Sequence, residues 1–243
     1  KEALTEKGLK LSNTSEQTLK EEGQPLTTCI LNYRSAKKQM EQAETLLKAI
    51  EEDGRIHARF EPTGTNTGRF SSKRPNLQNI GRGKLRHCFV PDEGNLLVVA
   101  DYSQVELRVA AVVANEERMI EAYKNGVDLH RQTASLVLDK PIEDITKEDR
   151  QLAKAVNFGL LYGQSAKGLV AYAKKAYGVE MDYERARDIR SRFFSAYTGL
   201  WEWHKNARKM AAEGTQSVHT ALGRVRDGCH KEKRQSGPVS PHL

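Results

Sequence analysis

Apolar residues recur at every fourth position in the stretch RQLAKAVNFGLLYG, which covers residues 150–163. Such a spacing predicts an amphipathic helix, because side chains four residues apart share one helical face. Thr146 and Asp149 have the spacing of a capping box, and Gly163 stands where many helices end in the left-handed conformation. We therefore predict a helix that begins near residue 146, ends near residue 163 and packs on the protein through one ridge. The ridge consists of Leu152, Val156 and Leu160.

The opposite face of this helix has an unusual composition. Two cations and then two aromatic rings follow one another there in steps of four residues, at Arg150, Lys154, Phe158 and Tyr162. They span about 18 Å along the helix axis, which suits a ligand with several phosphates at one end and a flat ring at the other. A nucleoside triphosphate has this shape. The alternative is that the cations are solvated and the rings belong to the core.

The rest of the chain changes its pattern several times. Residues 1–52 have helical spacing, and the run AKKQMEQAETLLKAIEE predicts a long solvated helix. Residues 53–95 are punctuated by Gly and Pro, which indicates short strands and tight loops. The run LLVVA at 96–100 predicts a buried strand, and helical patterns follow to about residue 213. The final run, from residue 226 onward, has neither period, so we expect it to be disordered.

Composition narrows the class of protein. The chain has 243 residues and a net charge of +7, which favours an anionic partner. Its three cysteines have no zinc-ligand or disulfide-framework spacing, which indicates a reducing compartment. The longest apolar run is too short to cross a bilayer, so we expect a cytoplasmic protein without a membrane partner.

A carboxylate directly follows the predicted strand. Asp101 would stand at the rigid end of LLVVA, a suitable place to hold a divalent cation such as Mg²⁺ together with substrate phosphates. The alternative is that Asp101 caps the helix predicted over VELRVAAVVA. Glu106 lies near the start of that helix, where a carboxylate suits the helix dipole without any further function.

The loop TNTGRFSSKRPNLQNI concentrates side chains that can hydrogen-bond to the minor groove and to sugars. An ordinary polar turn would have a similar composition. The candidate DNA-binding residues are Arg69, Asn76, Gln78 and Asn79.

Taken together, three stretches resemble the family A DNA polymerases. TGRFSSKRPNLQNI is similar to the family's primer–template motif, DYSQVELR to its motif A, and RQLAKAVNFGLLYG to its motif B. They occur in the family's order, and the similarity runs from about residue 8 to residue 226.

This resemblance implies an α+β fold, a fragment of the right-hand polymerase fold with part of the palm and its antiparallel sheet, mostly helical fingers and a thumb remnant. We expect a thumb remnant and entry to the palm at 1–52 and a partial palm at 53–111. Fingers follow at 112–222, and an unmatched, disordered tail at 223–243.

The resemblance also implies roles for individual residues. Asp101 and the backbone carbonyl of Tyr102 are similar to ligands of the catalytic metals, for which two Mg²⁺ ions are expected in the intact enzyme. Lys154 resembles the catalytic lysine that contacts the triphosphate and protonates the leaving pyrophosphate. The remaining implied nucleotide-binding residues are Gln104, Glu106, His130, Arg150, Phe158 and Tyr162.

Glu106 resembles the residue that blocks a ribose 2′-hydroxyl, and Arg69 resembles its ion-pair partner on the primer minor groove. The implied partners are primer–template DNA and deoxynucleoside triphosphates, with the protein acting as a monomer. A single-subunit RNA polymerase is a weaker alternative, because Glu106 and Phe158 favour deoxynucleotides.

The chain departs from the family pattern at one point. The family places a second metal-binding aspartate in a His-Asp-Glu turn after motif B, and no His-Asp pair occurs anywhere in this sequence. Since one carboxylate cannot hold two dications close together, two hypotheses remain: a piece of a DNA polymerase, or a non-catalytic nucleotide- or DNA-binding product.

Overall fold

A computed structural model describes residues 2–81, 83–214, 217–220 and 222–227. The chain forms two compact units, Lys1–Val99 and Ala100–Leu243. The described part is mostly helical with two small antiparallel sheets, as the predicted α+β class requires.

The described part of the first unit contains four helices, two strands and a 3₁₀ helix. The elements are α1 (Glu2–Glu6), α2 (Glu16–Glu22), α3 (Pro25–Leu47), β1 (Arg59–Glu61), β2 (Ser71–Lys73), the 3₁₀ helix Leu77–Asn79 and α4 (Lys84–His87). β1 and β2 pair in antiparallel register, with Phe60 opposite Ser72. The predicted long solvated helix is confirmed for residues 36–47 by α3, whose side chains are mostly exposed; residues 48–52 of the predicted run lie beyond the helix.

The prediction of a buried strand at 96–100 is wrong. None of the described strands includes these residues, and the side chains of Leu96, Val98 and Val99 are 89%, 89% and 93% exposed. An apolar run becomes a strand only when another strand satisfies its backbone hydrogen bonds. Within the described residues, β1 to β4 form two separate pairs, so this run has no strand beside it.

The second unit contains seven helices, a 3₁₀ helix and two strands in its described part. The elements are α5 (Val105–Val113), α6 (Glu117–Lys124), α7 (Leu129–Leu138), the 3₁₀ helix Ile142–Asp144, α8 (Lys147–Leu161), α9 (Ala166–Tyr177), α10 (Tyr183–Ala196), α11 (Thr198–Ala212), β3 (Ser217–His219) and β4 (Val225–Asp227). Their apolar faces enclose a main core, which includes Leu107, Val156, Phe193 and Tyr197, and a smaller cluster of Ala134, Ile145 and Ala153.

Helix α8 confirms the helix predicted from the fourfold spacing. Thr146 caps it, and both hydrogen bonds of the capping box with Asp149 are present. The backbone leaves the helix at Gly163, whose φ of 74° lies in the left-handed region that favours glycine. The local signals at both ends therefore located this helix correctly.

Part of the expected tail is structured. β3 and β4 form an antiparallel pair in which Val218 lies opposite Arg226, so residues 225–227 are not disordered as the sequence suggested. Pairing with a neighbouring strand stabilises a segment whose own composition gives no signal of structure. The rest of the predicted tail, 228–243, lies outside the described residues. Among the helices that the structure describes, none is both long and apolar enough to span a bilayer.

Candidate functional site

The two faces of α8 differ in burial as the sequence predicted. Leu152, Val156 and Leu160 are buried in the core, whereas the four residues of the opposite stripe are all half-buried. The rings of the stripe are thus neither fully in the core nor fully solvated. The stripe consists of Arg150, Lys154, Phe158 and Tyr162.

Arg150 is held by an acidic partner. Its Nε donates to Oδ2 of Asp128 at 2.7 Å. Burial alone would raise the pKa of Asp128, but hydrogen bonds from the Arg150 side chain and from the backbone N–H groups of Arg131 and His130 lower the pKa overall. Of the three guanidinium nitrogens of Arg150, only Nε donates a hydrogen bond to a described residue. The two terminal nitrogens can therefore donate to another anion.

His130 lies close to the cationic half of the stripe. It is 2% exposed, and its ring centroid is 6.1 Å from that of Phe158. Burial lowers the pKa of His130 to about 4; Asp128 opposes the shift, and the charges of Arg150 and Lys154 add to it. His130 is therefore neutral at pH 7 and stands beside two cations.

The aromatic half of the stripe reaches helix α5. The hydroxyl of Tyr162 donates to Oε2 of Glu106 at 2.6 Å, across 56 residues of sequence. This bond orients the carboxylate that the resemblance assigns to sugar discrimination. A charged acceptor makes such a bond stronger than one between neutral groups.

Gln104 occupies a special backbone position before α5. Its φ of 54° is left-handed, and it is the N-cap residue of the helix. The hydroxyl of Tyr123 donates to its Oε1 at 3.1 Å, and the Arg108 guanidinium lies 4.2 Å from the centroid of the Tyr123 ring. Burial raises the pKa of Tyr123, so this hydroxyl remains a donor.

Asp101 and Tyr102 are both exposed, Tyr102 by 83%. Because Gln104 is the N-cap of α5, the alternative that Asp101 caps this helix is wrong. No group of three or more His, Cys, Asp or Glu residues with metal-binding geometry occurs in the part of the chain that the structure describes. The predicted donor set is the carboxylate of Asp101 with the neighbouring backbone carbonyl of Tyr102.

The candidate DNA-binding residues lie in the first unit. Arg69 and Asn79 are exposed, and Asn76 caps the 3₁₀ helix by accepting from the N–H of Gln78 at 3.0 Å. The side chain of Gln78 donates to the backbone carbonyl of Phe70 at 2.9 Å. Two of the four predicted side chains therefore help to shape the loop itself.

Several residues around the site were not predicted. Asp128 holds Arg150, and buried Thr133, Asn157 and Tyr197 form hydrogen bonds beside His130. Asn157 had one signal in the sequence, since it is an amide between Val156 and Phe158 where the helical pattern requires burial. The pairing of Asp128 with Arg150 had none, because the two are 22 residues apart.

The fold and these motifs are those of a known protein family. The model of DNA polymerase family A matches residues 1–236, and the chain belongs to this family. DNA polymerase I of Aquifex aeolicus (strain VF5) is 47% identical over 196 residues, which cover 80% of this chain and 34% of that protein. The thermostable DNA polymerase I of Thermus aquaticus is 38% identical over 215 residues, 84% of this chain and 25% of that protein.

A solved structure agrees with the sequence comparisons. It is the POL domain of Pol1 from M. smegmatis in complex with DNA primer–template and dNTP, with a TM-score of 0.75 and 33% identity. The match covers 88% of this chain and 38% of that one. The chain therefore spans between about a fifth and two fifths of the length of the relatives that it matches.

Proposed function

We propose that this chain binds a deoxynucleoside triphosphate on the half-buried face of α8, as part of a template-directed DNA polymerase that adds deoxynucleotides to a primer 3′ end. The observation that carries the proposal is the stripe on α8, which combines cations and rings on a half-buried face opposite the buried ridge. Family membership supports the same activity.

The cationic half of the site suits the triphosphate. The charges of Arg150 and Lys154 both lower the pKa of His130, and the three side chains would together bind the phosphates. Lys154 would offset the charge that develops on the leaving pyrophosphate and supply its proton. No acidic side chain of the described residues pairs with Lys154, so its charge is available to a ligand.

The aromatic half suits the nucleoside. Phe158 would lie beside the incoming sugar, and Tyr162 would stack at the template position. Glu106, oriented by Tyr162, would exclude a ribose 2′-hydroxyl, with Gln104 close to the nascent pair. This arrangement favours a DNA polymerase over a single-subunit RNA polymerase.

One divalent cation fits the donor set. The carboxylate of Asp101 and the carbonyl of Tyr102 are exposed oxygens, and Mg²⁺ commonly takes one or two protein carboxylates with substrate phosphates. When bound, Mg²⁺ would neutralise phosphate charge. The His-Asp-Glu turn that would supply a second carboxylate for a two-ion site does not occur in the sequence.

Primer–template DNA is the second proposed partner. Arg69, Asn76, Gln78 and Asn79 would contact the primer and its minor groove, and the charge of +7 favours binding to the phosphate backbone. The bacterial origin of the relatives supports a cytoplasmic location, and we propose that the protein acts as a monomer.

A second candidate function is nucleotide or DNA binding without catalysis. The lack of a His-Asp pair in the sequence favours it, because a two-ion displacement needs more negative charge around the metals than Asp101 alone supplies. The clamp on α8 would persist in such a product.

Two measurements on the 243-residue chain test and separate these functions. Titration with dATP and Mg²⁺ should show saturable binding, and Lys154→Ala should weaken it about tenfold or more through loss of a charged hydrogen bond. The matched control is Lys175→Ala, an exposed lysine of α9. Equal binding by both variants would contradict the proposed site.

Primer extension then decides between catalysis and binding alone. Template-dependent incorporation would support the polymerase if Asp101→Asn abolishes it and Asp144→Asn does not. Asp144 is an exposed carboxylate at the end of the 3₁₀ helix Ile142–Asp144. Nucleotide binding without incorporation by the wild-type chain would support the non-catalytic function.

A further inference from the structure

A line of four buried polar side chains leads inward from the proposed triphosphate site. Nδ1 of His130 is 2.9 Å from Nδ2 of Asn157, whose Oδ1 is 3.0 Å from the Thr133 hydroxyl. The Thr133 hydroxyl is in turn 2.9 Å from the hydroxyl of Tyr197. All four residues are at most 2% exposed, so water does not replace these bonds.

The protons of this line can be arranged in two directions. In one arrangement Tyr197 donates to Thr133, Thr133 donates to Oδ1 of Asn157, and Nδ2 of Asn157 donates to a bare Nδ1 of His130. In the other arrangement the asparagine amide is reversed, so that Nδ1 of His130 carries the proton and Thr133 donates to Tyr197.

The buried end of the line decides between the two arrangements. If Thr133 donated to Tyr197, the proton of the Tyr197 hydroxyl would need another acceptor, and the described residues offer none. A buried donor without an acceptor is costly, whereas the first arrangement gives every buried hydroxyl proton an acceptor. Burial also raises the pKa of Tyr197 to about 12, so its hydroxyl keeps the proton that it must donate.

The outer end of the line meets the ligand site. Nε2 of His130 makes no hydrogen bond to any described residue. Nε2 of His130 is not among the described polar atoms that are both fully buried and without a partner, whereas Nε2 of His204 is one of them. Because Nε2 of His130 has no partner, it must keep some contact with solvent. The charged groups that affect the imidazole are Asp128, Arg150 and Lys154.

We propose that Tyr197, Thr133 and Asn157 act as positioning residues, which hold His130 in the neutral tautomer whose Nε2 carries the proton, so that it donates to a phosphate oxygen of the nucleotide. The function of this donor rests on the proposed nucleotide site. A bare Nε2 would face the anion with a lone pair, so the direction of the buried bonds decides whether His130 attracts or repels a phosphate.

This mechanism predicts how binding depends on pH. In the wild-type chain His130 stays neutral and remains a donor from pH 6 to pH 8, so its contribution to triphosphate affinity is constant. In Asn157→Asp the new carboxylate accepts from Nδ1–H and raises the pKa of His130. When that imidazole loses a proton, Nε2 becomes bare, and affinity should fall about tenfold as the pH rises through this pKa.

The tautomer can be measured directly in the free protein. Nitrogen-15 NMR of the 243-residue chain, with the His130 signals identified from His130→Gln among the seven histidines, should show a bare Nδ1 and a protonated Nε2 at pH 7. A protonated Nδ1 in the wild-type chain would overturn the proposal.

A matched set of variants separates positioning from a merely structural role. Thr133→Val keeps the shape of the side chain but removes the donor to Asn157, and it should give a mixture of both tautomers. Thr133→Ser restores the hydroxyl and should restore the single tautomer. Tautomer populations that are equal in the valine and serine variants would contradict the proposal, even if both variants are less stable.

Titration with dATP from pH 6 to pH 8 completes the test. Dividing the affinity of Asn157→Asp by that of the wild-type chain at each pH cancels the effect of phosphate ionisation, which is the same for both proteins. The control is Asn206→Asp on an exposed face of α11. A ratio that does not change with pH would overturn the role of His130 as a donor. If the wild-type chain bound no dATP at all, the proposed function would fail, whereas the NMR result would still decide the proton arrangement.

Discussion

The segment 53–99 and the helical region 100–212 hold their candidate ligand-binding side chains by different means. In the helical region, the stripe on α8 is fixed by a buried ridge, by the core and by bonds between distant residues such as Tyr162 and Glu106. In the loop segment, Gln78 and Asn76 are held by hydrogen bonds to nearby backbone, and large apolar side chains such as Phe70 remain exposed.

This difference indicates how each site responds to change. A side chain on a packed helix moves only if the core moves, because interiors are close-packed. A side chain on a loop depends on a few exposed hydrogen bonds, each of which contributes little to global stability. We therefore expect large global effects of substitutions in the helical region and small local effects in the loop segment.

The largest expected effect is the loss of a core ring. Phe193 is fully buried and contacts the rings of Phe194 and Tyr197, so Phe193→Ala should lower the free energy of unfolding by about 3–5 kcal/mol. Both tryptophans of the chain, at 201 and 203, lie on α11, so their fluorescence during urea unfolding reports this region. The control, Phe70→Ala at a ring that is 58% exposed, should change stability by less than about 0.5 kcal/mol. Similar losses for both variants would remove the distinction between the regions.

A smaller effect should appear on acidification, with opposite signs in the two regions. Burial lowers the pKa of His204 and of His130 to about 4, whereas the hydrogen bond to Asp53 raises the pKa of His57. Since an unfolded histidine binds its proton near pH 6.5, the unfolded state takes up more protons than the folded helical region between pH 6.5 and 4. The free energy of unfolding that the tryptophans report should therefore fall as the pH is lowered from 6.5 to 4. The decrease is at most about 1.4 kcal/mol per pH unit for each buried histidine.

Two substitutions sharpen this comparison. His204→Gln should flatten the acid dependence of urea unfolding, because one of the two titrating groups is gone. His57→Gln should leave the acid dependence of the tryptophan signal unchanged. The contribution of His57 to stability is present below pH 6.5 and is lost as the pH rises through its raised pKa. An acid dependence that is as steep in His204→Gln and in His130→Gln as in the wild-type chain would show that other groups cause it.

The contrast between the regions also explains what the sequence could predict. The signals for α8 are local: Thr146, Asp149 and Gly163 lie within the helix ends, and the spacing of the ridge lies within the helix. Its two faces could therefore be assigned from sequence, and so could the stripe of candidate ligands. The role of His130 came only from resemblance to a family, whereas Asp101 was a candidate metal ligand from its position after LLVVA.

What could not be predicted depends on partners that are distant in sequence. LLVVA has the composition of a strand, but a strand forms only beside another one, and the sequence gives no sign of which segment that is. In the line from His130 to Tyr197, the bonded pair Thr133 and Tyr197 is 64 positions apart, and no periodicity encodes such a contact. The geometry around the site therefore required the structure.

The smallest expected effect lies in the loop segment, where Gln42 of α3 clamps the chain beside Asn79. Its Nε2 donates to the Asn79 carbonyl at 2.8 Å, and its Oε1 accepts from the N–H of Gly81 at 3.2 Å. Gln42→Ala removes both exposed bonds, so global stability should change by less than about 1 kcal/mol. The Gly81 amide should nevertheless exchange faster with deuterium, because the loop can then open without breaking the hydrogen bond from Gly81 to the Gln42 side chain. The control is Gln39→Ala, whose side chain bonds only to Ser35 on the same helix at 3.4 Å. Unchanged exchange at Gly81 in Gln42→Ala would mean that the loop is held by other contacts, and the contrast between a core-supported site and a bond-supported loop would then lose its clearest case.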